Sequence, residues 1–357
     1  MKLIRYVLPA LCIATAGCSS SEVIDDVSKS EAARIGFNTH MYKNSRALDN
    51  SNFNNFFVYG TYVVSTSSQP VQVFMGDRVT KNADGNWTYT NDRYWNPQGT
   101  YDFYAYSCEN TQVQTGITGN ANLNGRVLNL VNYTINQDHA SHDLVFASSK
   151  EQSRPSTTAG GTSSPVAFAF KHILTRLKFT FKSLIPGENY TVKISNLQIS
   201  NYRNVGTFLG NTEAWQEPER NPESPSMPLT LSSADGVLQK PGAGGPARTD
   251  VSTDAVFMIP FQYQYANVRI EFDFDIQAPD TNGNLMDVMG SHITATWQPN
   301  WIKGQSINNV ITLSGSATGM DPIRFTASIV PDEGAADDGW VPGAGNANFT
   351  FDQSFKN

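Results

Sequence analysis

The chain has 357 residues, of which 39% are hydrophobic and only 16% charged, and its formal net charge is −7. That acidic balance argues against nucleic acid as a partner, because binders of polyanions concentrate Lys and Arg. Of its three cysteines, Cys12 and Cys18 lie near the start, which leaves Cys108 as the lone thiol of the body. Stability must then come from burial rather than cross-links.

Lys2 and Arg5 precede a short apolar run, Tyr6 to Ala14, and Thr15-Ala16-Gly17 place small residues before Cys18. The run falls short of the roughly 20 apolar residues that cross a bilayer, so residues 1–17 read as a removed signal and Cys18 as a lipidation site. Thr15 stands where the usual lipobox has leucine. Residues 18–34 then form a polar and acidic tether, and no later stretch is apolar enough to span a membrane.

Beyond the tether the pattern is strand after strand, with almost no helical periodicity. Ile35, Phe37, Thr39 and Met41 alternate as a half-buried first strand, with Arg34 just before it and Arg46-Ala47 in a polar setting after it. Val58 to Val64, Val192 to Ile199 and Val268 to Ile276 are further period-two runs. Asp84-Gly85 and Asn282-Gly283 predict hairpins with type I′ turns. Glu151 to Pro165 reads as a linker, and Gln216 to Pro228 and Lys240 to Pro246 as loop insertions. These signals predict an all-β chain with an N-terminal sandwich over 35–160 and a C-terminal sandwich over 161–340. Between them, Val166, Phe168 and Phe170 share one parity and Ile173, Leu177, Phe179 and Phe181 the other, so the strand must break near His172.

The tail, 341–357, is amphipathic: Ala347, Phe349 and Phe351 alternate with polar residues. It fits either a strand donated to another molecule or the edge strand of its own sheet, since both share one signature.

Few residues invite chemistry. His139, His142 and Asp143 could seed a metal site, but their spacing suits a helix and the context reads as strand or loop. Asp280 to Asn284 resembles the front of a calcium loop without its closing glutamate. Trp87, Tyr94, Trp95, Tyr101, Phe103, Tyr104 and Tyr106 could form a glycan platform, although alternating aromatics suit a core. His172, in an apolar strand, reads as a hydrogen-bonded core histidine. With no nucleophile elbow, phosphate loop or paired carboxylates, the expectation is a non-enzymatic protein with no catalytic residues, cofactor or metal.

A set of short signatures resembles the fimbrillin-like (Mfa-like) family of pilus subunits and surface lipoproteins of Gram-negative anaerobes. In the family's order they are Ile35-Gly-Phe37, Arg46-Ala47, Gly85-Asn-Trp87-Thr-Tyr89, Tyr94-Trp95-Asn-Pro97, Phe103-Tyr104-Ala105-Tyr106, Asp143-Leu144-Val145-Phe146-Ala147, Phe168-Ala-Phe170-Lys-His172-Ile-Leu174, Trp301-Ile-Lys-Gly304 and Ile323-Arg-Phe325 with Trp340. Ser107 departs from the pattern where the family has proline, as do Ile307 and Asn309 near its tyrosines.

The resemblance implies two transthyretin-like β-sandwich domains in tandem and no enzymatic activity. It implies an outer-membrane, cell-surface lipoprotein that enters a fimbrium after proteolysis at Arg46, or at Arg34. Excision of the strand carrying Ile35, Phe37, Thr39 and Met41 would open a groove for another subunit's strand. Ala347, Phe349 and Phe351 are the candidate donor. The implied partners are other fimbrial subunits, the outer membrane through the lipid on Cys18, and a host or bacterial surface ligand. A monomeric lipid-anchored protein that binds a glycan or host ligand is the alternative.

Overall fold

The computed structural model describes residues 33–41, 53–108, 116–155, 164–216, 226–261, 267–315, 323–330, 340–343 and 348–355. Within them the chain is all-β, as expected. The first half runs through β1 (Phe37–Met41), β2 (Asn55–Val64), β3 (Val71–Lys81), β4 (Trp87–Thr88), β5 (Gly99–Cys108), β6 (Ala121–Asn124), β7 (Val127–Thr134), the helical turn α1 (Gln137–Ala140), β8 (Leu144–Ser153) and β9 (Val166–His172). Seven of these strands form one sheet in the order β1-β9-β8-β5-β2-β3-β4. Its central strand β5 is buried from Tyr101 to Cys108 without interruption, because both faces of the sheet are covered.

On one face Phe57, Tyr59, Tyr104, Tyr106 and Phe146 meet Leu128 and Leu130 of β7. On the other, Phe56, Val58, Phe74, Phe103 and Phe168 gather around Phe37 in a separate apolar cluster. That sheet curls until its two ends meet through the first segment of chain. β1 pairs with β9, while just upstream the Ile35 N–H donates to the Arg93 carbonyl at 2.8 Å and the Trp95 N–H to the Ala33 carbonyl at 3.0 Å.

The second half contains β10 (Thr175–Ser183), β11 (Thr191–Ser200), β12 (Val205–Leu209), β13 (Ala214–Trp215), β14 (Met227–Pro228), β15 (Val237–Lys240), β16 (Ala247–Arg248), β17 (Val251–Ser252), β18 (Val256–Met258), β19 (Val268–Pro279), β20 (Leu285–Trp297), β21 (Gln305–Ser314), β22 (Arg324–Val330), β23 (Val341–Pro342) and β24 (Thr350–Phe355). One sheet runs β17-β10-β21-β22, with β18 and β23 alongside, and another runs β16-β15-β11-β19-β20-β24, with β14 alongside. They pack face to face: Phe181 meets Phe272 at 5.0 Å and Phe179 meets Trp297 at 5.9 Å between ring centroids.

The break expected near His172 falls at Ile173-Leu174, between β9 and β10. β8 extends through Ser153, into the segment read as a linker, and β14 lies within the Pro-rich insertion. β9 and β12, both beyond residue 160, join the layers of the first half: β9 pairs with β1 and β8, and β12 with β7 in the sheet β13-β12-β7-β6.

Both expected hairpins form, with a different turn. Gly85 and Gly283 have φ of +83°, but neither Asp84 nor Asn282 is left-handed, so these are not type I′ turns. Gly85 N–H bonds the Asn82 carbonyl and Gly283 N–H the Asp280 carbonyl, the pattern of a type I turn closed by a left-handed glycine. Asn82 and Asp280 select it: each side-chain Oδ1 accepts two backbone N–H groups of its own turn.

Candidate strand-exchange site

The first strand is an edge strand whose apolar side chains fill a core. Ile35, Phe37 and Met41 are 0%, 6% and 4% exposed, Thr39 is half-buried, and Asn38 and His40 face solvent. β1 runs parallel to β9, with Phe37 opposite Val166, Thr39 opposite Phe168 and Met41 opposite Phe170. The Phe37 ring touches five others: Phe74 at 5.3 Å, Tyr89 and Phe168 at 5.7 Å, Phe56 at 6.0 Å and Phe103 at 6.1 Å. Taking β1 away would bare the ladder edge of β9 and a trough lined by those rings. An edge of that kind binds an extended strand through main-chain hydrogen bonds, with alternate side chains in pockets.

Arg34 enters this site folded down. Its Nε lies 2.6 Å from the Asp92 Oδ1, its guanidinium sits 4.9 Å from the Tyr89 ring centre, and the Tyr89 hydroxyl donates to the Ile35 carbonyl at 2.6 Å. The peptide groups on either side of it are paired with Arg93 and Trp95. Cys18, Arg46 and Ala347, the other residues singled out from the sequence, lie outside the described residues.

Phe349 and Phe351 belong to a different sheet from β1. β24 pairs antiparallel with β20, from Thr296 opposite Thr350 to Ser291 opposite Phe355, as the outermost strand of its own sheet. Phe349 stacks on Trp297 at 4.5 Å and Phe351 on Phe325 at 5.4 Å, so the tail covers the open side of the second sandwich.

The remaining candidates separate in space. His139 and His142 turn their Nδ1 atoms to the carbonyls of Thr134 and Asp138, whereas Asp143 turns inward to His172, with Oδ2 2.6 Å from Nδ1. Among the described residues no group of three or more His, Cys, Asp or Glu could hold a metal ion. Of the aromatic belt, Trp95, Tyr101, Phe103, Tyr104 and Tyr106 are buried and only Tyr94 is exposed, so the alternating aromatics are core.

Sequence reading missed β9 as the floor of the groove. Its period-two pattern at Val166, Phe168 and Phe170 was visible, but nothing local signals a parallel partner so distant in sequence. The second omission is the end of β9, where the His172 ring stacks on Trp340, the residue that opens the tail, at 4.0 Å.

No curated protein matches the chain. Among solved structures, a candidate cell adhesion protein from Bacteroides uniformis is 15% identical, with 83% of this chain and 98% of that one aligned and a TM-score of 0.40. One from Parabacteroides distasonis is 10% identical over 84% and 98% of the two chains, with a TM-score of 0.43. The fimbrial anchor protein Mfa2 from Porphyromonas gingivalis is 10% identical over 83% and 97%, with a TM-score of 0.32. The model of the fimbrillin-like family matches residues 45–328, the greater part of these 357 residues, and the chain therefore belongs to the fimbrillin-like family.

Proposed function

We propose that this protein is a non-enzymatic fimbrial subunit with a role in surface adhesion, exported as a lipoprotein on Cys18 and assembled by strand exchange after proteolysis at Arg46. The observation that carries the reading is the placement of β1 and the residues just before it: β1 is an edge strand paired with β9 alone, yet Phe37 and Met41, with Ile35 upstream, lie in the core. Each such side chain contributes about 1.5–3 kcal/mol on burial, so excision leaves an apolar deficit that a strand of the same period offsets. Arg46 is favoured over Arg34 as the cut because a protease needs an extended, accessible backbone, and the peptide groups flanking Arg34 are already paired.

Ala347, Phe349 and Phe351 are the proposed donor. Because β24 is paired with β20 here, donation means exchanging one antiparallel ladder and two aromatic stacks for a place in a neighbour's groove. A tail docked on its own sheet keeps a subunit closed until a cut neighbour offers that groove. Partners are then other fimbrial subunits, in a homo- or heteropolymer, and the outer membrane through the lipid until processing. A host or bacterial surface ligand is the adhesion target, and the protein resides at the outer membrane and cell surface, then in the fimbrium.

Intact mass and N-terminal sequencing of the protein on and shed from cells test the reading. A new terminus at Ala47, accompanied by oligomer ladders that Arg46→Ala abolishes and Arg34→Ala leaves in place, is the expected result. A single lipidated species that begins at Cys18 and still carries Ile35 to Arg46 overturns it.

A further inference from the structure

The tail is fixed to the molecule a second time, ahead of β24, at the end of the groove floor. Trp340 is 2% exposed, although Val341 beside it is 64% exposed. The Trp340 ring stacks on His172 at 4.0 Å and lies 5.7 Å from Phe257. Just after it the Val341 N–H donates to the Gly304 carbonyl at 2.8 Å and the Gly343 N–H to the Ser306 carbonyl at 2.6 Å, which sets β23 against β21. A Cβ at Gly343 would stand 2.7 Å from the Ile307 Cγ1, so the clasp closes tightly.

His172 is the last residue of β9, and β9 is anchored unevenly. Among the described residues its ladder pairs with β8 are Val145–His172 and Phe146–Lys171, whereas Val166 to Phe170 pair with β1. β1 therefore aligns most of the strand whose end carries Trp340. The seat itself comes at a cost, because within the described residues His172 Nε2 and Trp340 Nε1 are both buried without a hydrogen-bond partner.

We propose that Trp340 on His172 is a latch by which the groove controls the tail, a role that rests on β1 being the strand that is excised. With β1 in place, β9 is aligned, Trp340 is seated, and a tether of five residues, Gly343 to Asn348, keeps β24 close to β20. Excision of β1 takes the ladder partner from Val166 to Phe170, so β9 loses its alignment as far as Lys171 and the stacked ring loses its platform. Once Trp340 and β23 let go, the preceding fixed strand is β22, which ends at Val330, and the tether to Asn348 becomes eighteen residues. Effective concentration falls roughly as the −3/2 power of tether length, so β24 stands open about sevenfold more often. A subunit then gives its tail only after its own first strand is cut: one event opens the acceptor and frees the donor.

Hydrogen exchange of the full chain, read by mass spectrometry, tests this. Lys43 to Asp49 are replaced by the recognition sequence of a site-specific protease, and the chain is compared before cutting and after gel filtration in mild denaturant has removed the N-terminal fragment. Amides of β24 are expected to exchange about sevenfold faster or more once β1 is gone, with β19 unchanged as the internal control. Trp340→Ala is expected to give the same acceleration without cutting, and cutting then adds little, because both changes act through one contact. Unchanged β24 exchange after removal of β1, or a full further acceleration by cutting in Trp340→Ala, overturns the latch. Should Trp340→Ala loosen the whole fold, β19 reports it and the comparison in the unmutated chain decides alone. Oligomer ladders from the cut chain, run at high concentration, report on strand exchange separately. Ladders with unchanged β24 exchange overturn the latch and leave strand exchange standing, whereas freed tails without ladders support the latch and count against strand exchange.

Discussion

Phe37 concentrates the energetics of the first strand in one ring. Replacing it with Ala removes five ring contacts from a site that cannot easily collapse, because the surrounding aromatics are rigid and mutually packed. Phe37→Ala is expected to cost about 3–5 kcal/mol in chemical denaturation, against about 0.5 kcal/mol or less for Asn38→Ala one residue on. Asp143 makes a similar case for a polar pair. It is fully buried and holds His172, itself 5% exposed, so Asp143→Ala strands the imidazole and is expected to cost about 3–5 kcal/mol, while Asp143→Asn retains an acceptor and costs less. The sequence made Asp143 look like a partner of His139 and His142, because proximity along the chain is visible and direction is not.

Burial pushes Tyr101 and Tyr104 up to about 12, with the backbone N–H of Asn96 opposing the shift at Tyr101 and the Asp102 carboxylate reinforcing it at Tyr104. A phenol whose folded pKa exceeds its unfolded value of 10.0 holds its proton more tightly in the native state. The stability it contributes is complete below pH 10 and is lost as the pH rises toward about 12. Tyrosinate absorbance and far-UV circular dichroism followed through that window should therefore change together, ionisation accompanying unfolding. Ionisation of the full tyrosine complement with the fold intact would count against it.

At the level of elements, local signals were read well and pairings were not. The hairpins at Gly85 and Gly283 were legible because a glycine beside Asp or Asn marks a tight turn, whereas the turn type depended on Asn82 and Asp280, two or three residues upstream, capping their own loops. The tail shows the limit more sharply. Its alternation fitted donor and edge strand equally, and only the ladder with β20 places it. Deleting residues 348–357 is expected to bare Trp297 and Phe325, raising binding of a hydrophobic dye and lowering the melting temperature. Under the proposed assembly the deletion also ends oligomer growth at cut subunits. Growth that continues without the tail would place the donor elsewhere in the chain.

For the whole molecule, the important fact is that the chain's halves are interleaved. β12 completes a layer against β7, and Trp215, just after it, donates its indole N–H to the Ile173 carbonyl. Glu213, in the same hairpin, takes the Ser148 hydroxyl of β8 at 2.7 Å and the Lys171 ammonium of β9 at 3.3 Å. Gly210 permits this approach: a Cβ there would stand 2.0 Å from the Leu128 carbonyl oxygen. A single apolar cluster accordingly runs from Phe57 and Tyr104, through Leu130 and Phe208, to Phe179 and Phe272. Composition shifts near residues 151–165 register a change in loop content, and they carry no signal of β9 and β12, which cross back to pair with β1, β8 and β7. A polypeptide spanning residues 35–160 lacks β9, the neighbour of both β1 and β8, and lacks β12, the cover of β7. It is expected to remain unfolded, with collapsed amide dispersion by NMR, while the full chain melts in one transition whose calorimetric and van't Hoff enthalpies agree. A dispersed spectrum from that piece alone would mean that β8 and β7 can do without the strands that pair with them here, and that the groove beside β1 is built before the second half of the chain arrives.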